Sequence, residues 1–168
     1  MSITMSAASK PALIQMLSAL SAILDKAESH AVERKIDPSV LVNYRLAPDM
    51  FALSRQVQIA CDFAKGMTSR LAGREVPKWE DDEKTFPDLR GRIARTIAHV
   101  KAIEDAAIDG SEGRDINLTV GGQPMNFRGQ TYLVNFALPN FYFHVSAAYA
   151  ILRHAGLAIG KRDFIGQE

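Results

Sequence analysis

The sequence predicts an all-α protein: four long amphipathic helices packed as a bundle, with a small β-hairpin between the third and fourth. Three observations carry this expectation. Four stretches repeat apolar residues at steps of three and four, proline or glycine punctuates their ends, and one segment alternates with period two around Gly121-Gly122. With 168 residues, 47% of them hydrophobic and 23% charged, the chain has an ordinary globular composition, and one domain over residues 1–168 is expected.

In the first helix Leu13, Leu17, Leu20, Leu24, Ala27 and Ala31 form one face, which Met16 and Ile23 widen. The helix should run from about Ser9 or earlier to about Glu33, with Pro11 in its first turn, where a missing N–H costs nothing. Asp37-Pro38 breaks the chain before a connector that carries Leu41, Tyr44 and Leu46. Pro48 is expected in the first turn of the second helix. Its seam is Met50, Leu53, Val57, Ala60, Ala64, Met67 and Leu71, and Gly73 stops it. The charged stretch from Arg74 to Lys84 reads as a loop crossing one end of the bundle, with Trp79 as a lid over core atoms.

Thr85 is an N-cap residue type, and Pro87 and Asp88 suit the first turn of the third helix. That helix should bury Leu89, Ile93, Ile97, Val100, Ile103 and Ala107 and stop at Gly110. A two-residue turn at Gly121-Gly122 then pairs Val120 with Gln123, Leu118 with Met125 and Ile116 with Phe127, so the apolar residues share one face. Pro124 falls opposite Thr119 in a non-hydrogen-bonded pair, where its missing N–H is harmless. The fourth helix should run from about Thr131 to Ala155, bent or restarted at Pro139 and ended by Gly156. Its Phe141–Leu152 stretch is apolar nearly all round. In the tail, Leu157, Ile159, Phe164 and Ile165 are apolar enough to dock.

Composition excludes several functions. A net charge of +1, from 20 basic and 19 acidic residues well mixed, lacks the clustered cations of a nucleic-acid binder. The single Cys61 excludes an internal disulfide and a multi-cysteine zinc site, and a reducing cytoplasm is the expected location. The N-terminal stretch has only Lys10 before polar-interrupted apolar residues, unlike a signal peptide. No window approaches ~18 uninterrupted apolar residues, so no membrane span is expected. Phosphate-loop, zinc-protease and nucleophile-elbow motifs are absent from the sequence.

Among polar residues, His144 is the most informative. It shares a stripe with Ala148, Ile151 and Ala155, so it points into apolar surroundings. It is either a core histidine satisfied by one hydrogen bond or a ligand or acid/base group in a pocket between helices. Gln56 lies on a shoulder of the second helix with Ala52, Ile59 and Phe63, and should be at least half buried. It either bridges helices or meets His144 across the bundle. His30, His99 and His154 sit at helix ends or flanks, the run Glu80–Glu83 reads as a solvated loop, and Cys61 reads as a small hydrophobe.

The segments Arg45–Phe51, Arg55–Ile59, Pro139-Asn-Phe-Tyr-Phe-His144, Ala148–Arg153 and Gly160–Phe164, in this order, resemble an uncharacterised bacterial family. It is a domain of unknown function in the DinB/YfiT-like superfamily of four-helix bundles. The resemblance implies an up-down-down-up bundle with a long crossover between helices two and three, and it implies dimers. Better-known members hold a divalent metal with one histidine on helix two and two, four apart, on helix four. Several are thiol-dependent transferases or isomerases. Here His144 stands for the first helix-four ligand, but position 148 is Ala, and helix two offers Gln56 or Gln58.

The expected site is therefore a ligand pocket formed by His144, Gln56, Gln58 and Asn140, with no metal and no cofactor. His144 is the one candidate catalytic group. Three functions are open: a bundle binding a small ligand without the metal, a thiol-dependent transferase or isomerase with a divergent or metal-assisted site, or a structural dimer. A homodimer is expected because the face of Tyr142, Ser146, Tyr149 and Arg153 is half aromatic. Neither nucleic acid nor a membrane is an expected partner.

Overall fold

The computed structural model describes residues 3–166 and is mainly helical, with one two-stranded antiparallel sheet. Helix α1 (Met5–Glu33) opens at Thr4, whose hydroxyl accepts the Ala7 N–H at 3.3 Å. That cap starts the helix early, so Pro11 sits in its second turn, where it removes a helical hydrogen bond, and not in the first turn as expected. Burial outweighs the loss: Leu13, Leu17, Leu20 and Leu24 are all core residues. By length and composition α1 would also pass for a membrane span, with a mean hydropathy of 1.3 over 18 residues. Its leucine face, however, is buried within the fold.

The connector contains a short helix, α2 (Pro38–Val42), which Asp37 caps by accepting the Ser39 N–H at 2.9 Å. The next helix, α3 (Leu53–Leu71), does not begin at Pro48. Met50 N–H closes a turn on the Ala47 carbonyl at 3.0 Å, and Leu53 N–H reaches back to the Tyr44 carbonyl at 2.9 Å. These bonds hold residues 44–52 as a loop. At the other end Gly73 takes φ +66°, and Arg74 N–H bonds the Ser69 carbonyl at 2.8 Å.

Helix α4 (Phe86–Ala102) starts with the capping box of Thr85 and Asp88, each side chain accepting the other's backbone N–H. It ends earlier than its apolar pattern implies. Ile103 turns extended (φ −83°, ψ 120°), and the Lys10 ammonium of α1 binds its carbonyl. Ala107 therefore belongs to a separate short helix, α5 (Asp105–Ile108). The hairpin, β1 (Asp115–Val120) and β2 (Gln123–Arg128), has the expected register: Ile116 faces Phe127, Leu118 faces Met125, and Val120 faces Gln123. Gly121 and Gly122 hold φ of +55° and +79°.

A short helix α6 (Gly129–Thr131) runs into a π-helical segment, Tyr132–Ala137, and then into α7 (Leu138–His154). Pro139 sits in the first turn of α7, directly after the widened turns. The tail forms α8 (Lys161–Ile165) and docks on α1, where Gln15 Nε2 donates to the Ile165 carbonyl at 2.8 Å. Helix α3 packs on α7 and α4, and α1 packs on α4, α7 and α8. Trp79 is no lid over core atoms: its ring stacks between the Lys65 ammonium (4.3 Å) and the Arg95 guanidinium (4.1 Å).

Candidate functional site

Gln56 and His144 meet where α3 and α7 pack together. Gln56 belongs to the first turn of α3 and is 1% exposed; His144 is 8% exposed. His144 Nδ1 lies 2.7 Å from Gln56 Oε1, while Gln56 Nε2 donates to the Phe51 carbonyl at 3.2 Å. The second bond orients the first. Because the amide nitrogen faces a carbonyl, the amide oxygen faces His144, so Nδ1 must carry the proton and Nε2 keeps its lone pair.

The surroundings hold the ring neutral. Phe63 stacks on it at 6.0 Å, and Phe143 meets it edge-on at 5.2 Å. Burial first, then the positive charge of Arg55, pushes the His144 pKa down to about 4. At neutral pH the side chain is an uncharged imidazole. Phe51 and Phe143 themselves are 54% and 57% exposed, so apolar surface rims the pair.

The other two expected site residues are elsewhere. Asn140, one turn before His144, donates to the Phe136 carbonyl at 2.8 Å and so satisfies the widened turn. Gln58 faces the opposite side of α3 and belongs to an ionic cluster. Its Nε2 donates to Glu83 at 3.0 Å, and its Oε1 accepts from Arg55 at 3.3 Å. The physical reason is helix geometry: two residues apart on an α-helix point about 200° away from each other.

That cluster was not legible as a site. Arg92, 4% exposed on α4, binds Asp62 and Asp81 at 2.9 Å and Glu83 at 3.0 Å, and donates to the Glu80 carbonyl at 2.9 Å. Arg55 also pairs with Asp81, and Lys65 with Asp62 at 2.9 Å. The acidic run is a loop with Glu80, Asp81 and Asp82 exposed, as expected, yet through Asp81, Glu83 and the Glu80 carbonyl it clamps the crossover onto α3 and α4. The signal was present in the sequence, because Arg92 follows Leu89 by three and precedes Thr96 by four on the apolar face.

Of the remaining candidates, His99 Nε2 lies 2.9 Å from Ser69 Oγ, and burial lowers its pKa. His154 lies beside Tyr44, and His30 is in the last turn of α1. Cys61 is fully buried, and burial pushes its thiol up to about 12, so it is inert at neutral pH.

A cleft of about 150 Å³ opens beside the pair, lined by Asp62, Phe63, Arg70, Leu118, Val120 and Phe136. His144 does not line it. Phe63 stands between them, stacked on His144 and edge-on to Phe136 at 5.9 Å.

The three-histidine metal that the superfamily implies does not fit these residues. Ala148 is fully buried where the second imidazole would be needed, and the Gln56 oxygen is turned to the Nδ1 proton. Among the described residues no three His, Cys, Asp or Glu side chains converge.

Residues 5–165 match the profile of a family described as Domain of unknown function (DUF1993). Among solved structures, the chain is similar to a DinB family member protein from Shewanella denitrificans, a crystal structure at 1.83 Å resolution. The two are 39% identical with a TM-score of 0.88, over 97% of this chain and 92% of that one. No curated protein matches the chain.

Proposed function

The chain belongs to the DUF1993 family, with a DinB-like fold, and from that premise we propose that it binds a small ligand on the α3–α7 face at the Gln56–His144 pair. One observation carries the reading: a buried imidazole locked in a single neutral tautomer, with Nε2 left as an acceptor. A general base works best with a pKa near the working pH. A histidine held at about 4 is a poor base there but a good neutral hydrogen-bond acceptor, which favours recognition over proton transfer. Thiol activation by His144 is disfavoured on the same ground.

The architecture in this reading is the up-down-down-up bundle. Asp62–Arg92 and Ser69–His99 contacts advance together along α3 and α4, which supports parallel neighbours. Lys10 meets Ile103 while Asp25 meets Arg90, which supports an antiparallel α1 and α4. Gln56 meets His144 while Arg70 meets Tyr132, which supports the same for α3 and α7. The proposed setting is a cytoplasmic homodimer. The exposed apolar side chains Phe51, Phe143 and Val134 favour a partner copy, and the single, buried thiol suits a reducing compartment.

The test is native mass spectrometry of untagged protein with elemental analysis. A non-covalent organic adduct is expected, lost in His144→Ala and in Gln56→Leu. One equivalent of zinc, nickel or iron, lost in His144→Ala, would overturn the reading in favour of a metalloenzyme.

A further inference from the structure

Arg70 stands at the junction of two clefts along α3. The smaller, about 150 Å³, has apolar walls in Phe63, Phe136, Leu118 and Val120, with Asp62 and Arg70 completing it. The larger, about 520 Å³, shares those last two residues and continues to Lys65, Lys78, Trp79 and Glu80. A cavity near the size of the smaller one accommodates a single benzene ring.

The arginine is held in place without being neutralised. Its Nη1 donates to the hydroxyl of Tyr132, itself fully buried, at 3.1 Å. Gly66 lies directly beneath. A Cβ there would come within 2.3 Å of the same nitrogen, so a larger residue at position 66 would shift this side chain from its place. Among the described residues Arg70 forms no ion pair. Asp62, the carboxylate present in both clefts, is already bound by Lys65 and Arg92 at 2.9 Å each. Lys78 and Glu80, of opposite charge, line the larger cleft. Arg70 is thus a cation with no carboxylate partner among the described residues, beside an apolar slot.

We infer that this junction binds an organic anion, with a carboxylate or phosphate on Arg70 and an aromatic ring in the slot against Phe63 and Phe136. A planar guanidinium takes either anion through two parallel N–H bonds, and one of its five donors is already fixed on Tyr132. The aromatic walls favour a ring over a flexible chain, because offset and edge-on contacts add to simple burial. The inference shares with the proposed function the reading of the α3–α7 face as a ligand face, but its cleft lies beyond Phe63 from the Gln56–His144 pair.

The experiment titrates benzoate, phenyl phosphate and benzyl alcohol into the full chain, following the methyl resonances of Leu118 and Val120. At least one anion should shift them with a Kd on the order of 1 mM, fitting for so few atoms. The alcohol should bind roughly tenfold more weakly, as expected for losing a charge-assisted pair. Arg70→Met should abolish that difference. Val120→Asp, at a 42% exposed position on the rim, should weaken the anion in a chain that folds normally. An anion bound equally by wild type and both variants would overturn the inference. Equal binding of all three probes would overturn the anion assignment while leaving a ligand site on this face. No shift with any probe would overturn the inference and leave the Gln56–His144 reading to its own test.

Discussion

A histidine on an apolar helix face must either find a partner or stay out of the core, and His144 finds Gln56. The pairing has a measurable consequence. Unfolded, the imidazole takes up a proton near pH 6.5; folded, it does so only near 4. A folded pKa below the unfolded one means that the unfolded chain binds the extra proton in between. This group's contribution is therefore fully present above pH 6.5, falls as the pH drops from 6.5 towards 4, and is gone below. Urea midpoints measured from pH 7.5 to 4 should decline more steeply for wild type than for His144→Gln, which cannot titrate. Parallel curves would show that the ring is not held neutral. Sequence periodicity placed both His144 and Gln56 on inward stripes, but which atom of each faces the other depends on the Phe51 carbonyl, a loop atom with no sequence signature.

At the scale of elements, the hairpin and the fourth helix behave differently. The hairpin is local: two glycines with positive φ fix the turn, and alternation fixes which face is apolar. Val at both Gly121 and Gly122 should cost on the order of 1 kcal/mol or more per site, since β-branched residues fit positive φ poorly. The melting temperature should fall by several degrees; an unchanged value would mean that the turn is free to adopt another type. The fourth helix is not local. Tyr132–Ala137 widens to π geometry ahead of Pro139, and each added residue rotates the remainder of the helix by about 100° in α geometry. The π segment thus sets which residues of α7 face α3. Thr85 and Asp88 announced the start of α4, yet its end at Ala102 comes from the Lys10 ammonium binding the Ile103 carbonyl, a contact between residues 93 apart in sequence.

At the scale of the whole molecule, apolar surface is unevenly distributed. The face of α7 that carries Tyr142 and Tyr149 is partly covered from within, because Phe164 of the docked tail meets Tyr149 at 5.5 Å. The large apolar side chains that remain exposed include Phe51, Phe143 and Val134, at 54%, 57% and 53%. A second copy of the chain is the simplest cover for them. Light scattering at micromolar concentration should return twice the 18.5 kDa chain mass, and Phe143→Glu should lower it. A monomeric mass for wild type would sink the dimer. The ionic cluster acts at this scale too: one buried arginine, Arg92, ties residues 80–83 of the crossover to α3 and α4.

By itself the sequence determined the helical class, the hairpin with its register and the inward placement of His144 and Gln56. Each of these comes from spacing between near neighbours, through periods of 3.6 and 2 and through the conformational freedom of glycine. Tertiary structure alone decided where α3 starts and α4 ends, which way Gln58 turns, and that Arg92 gathers three carboxylates. It also placed Phe63 between His144 and the cleft, and set Arg70 over Gly66. Those outcomes depend on charges and carbonyls brought together from distant parts of the chain. A polar side chain settles where such partners converge, and local spacing carries no record of that place.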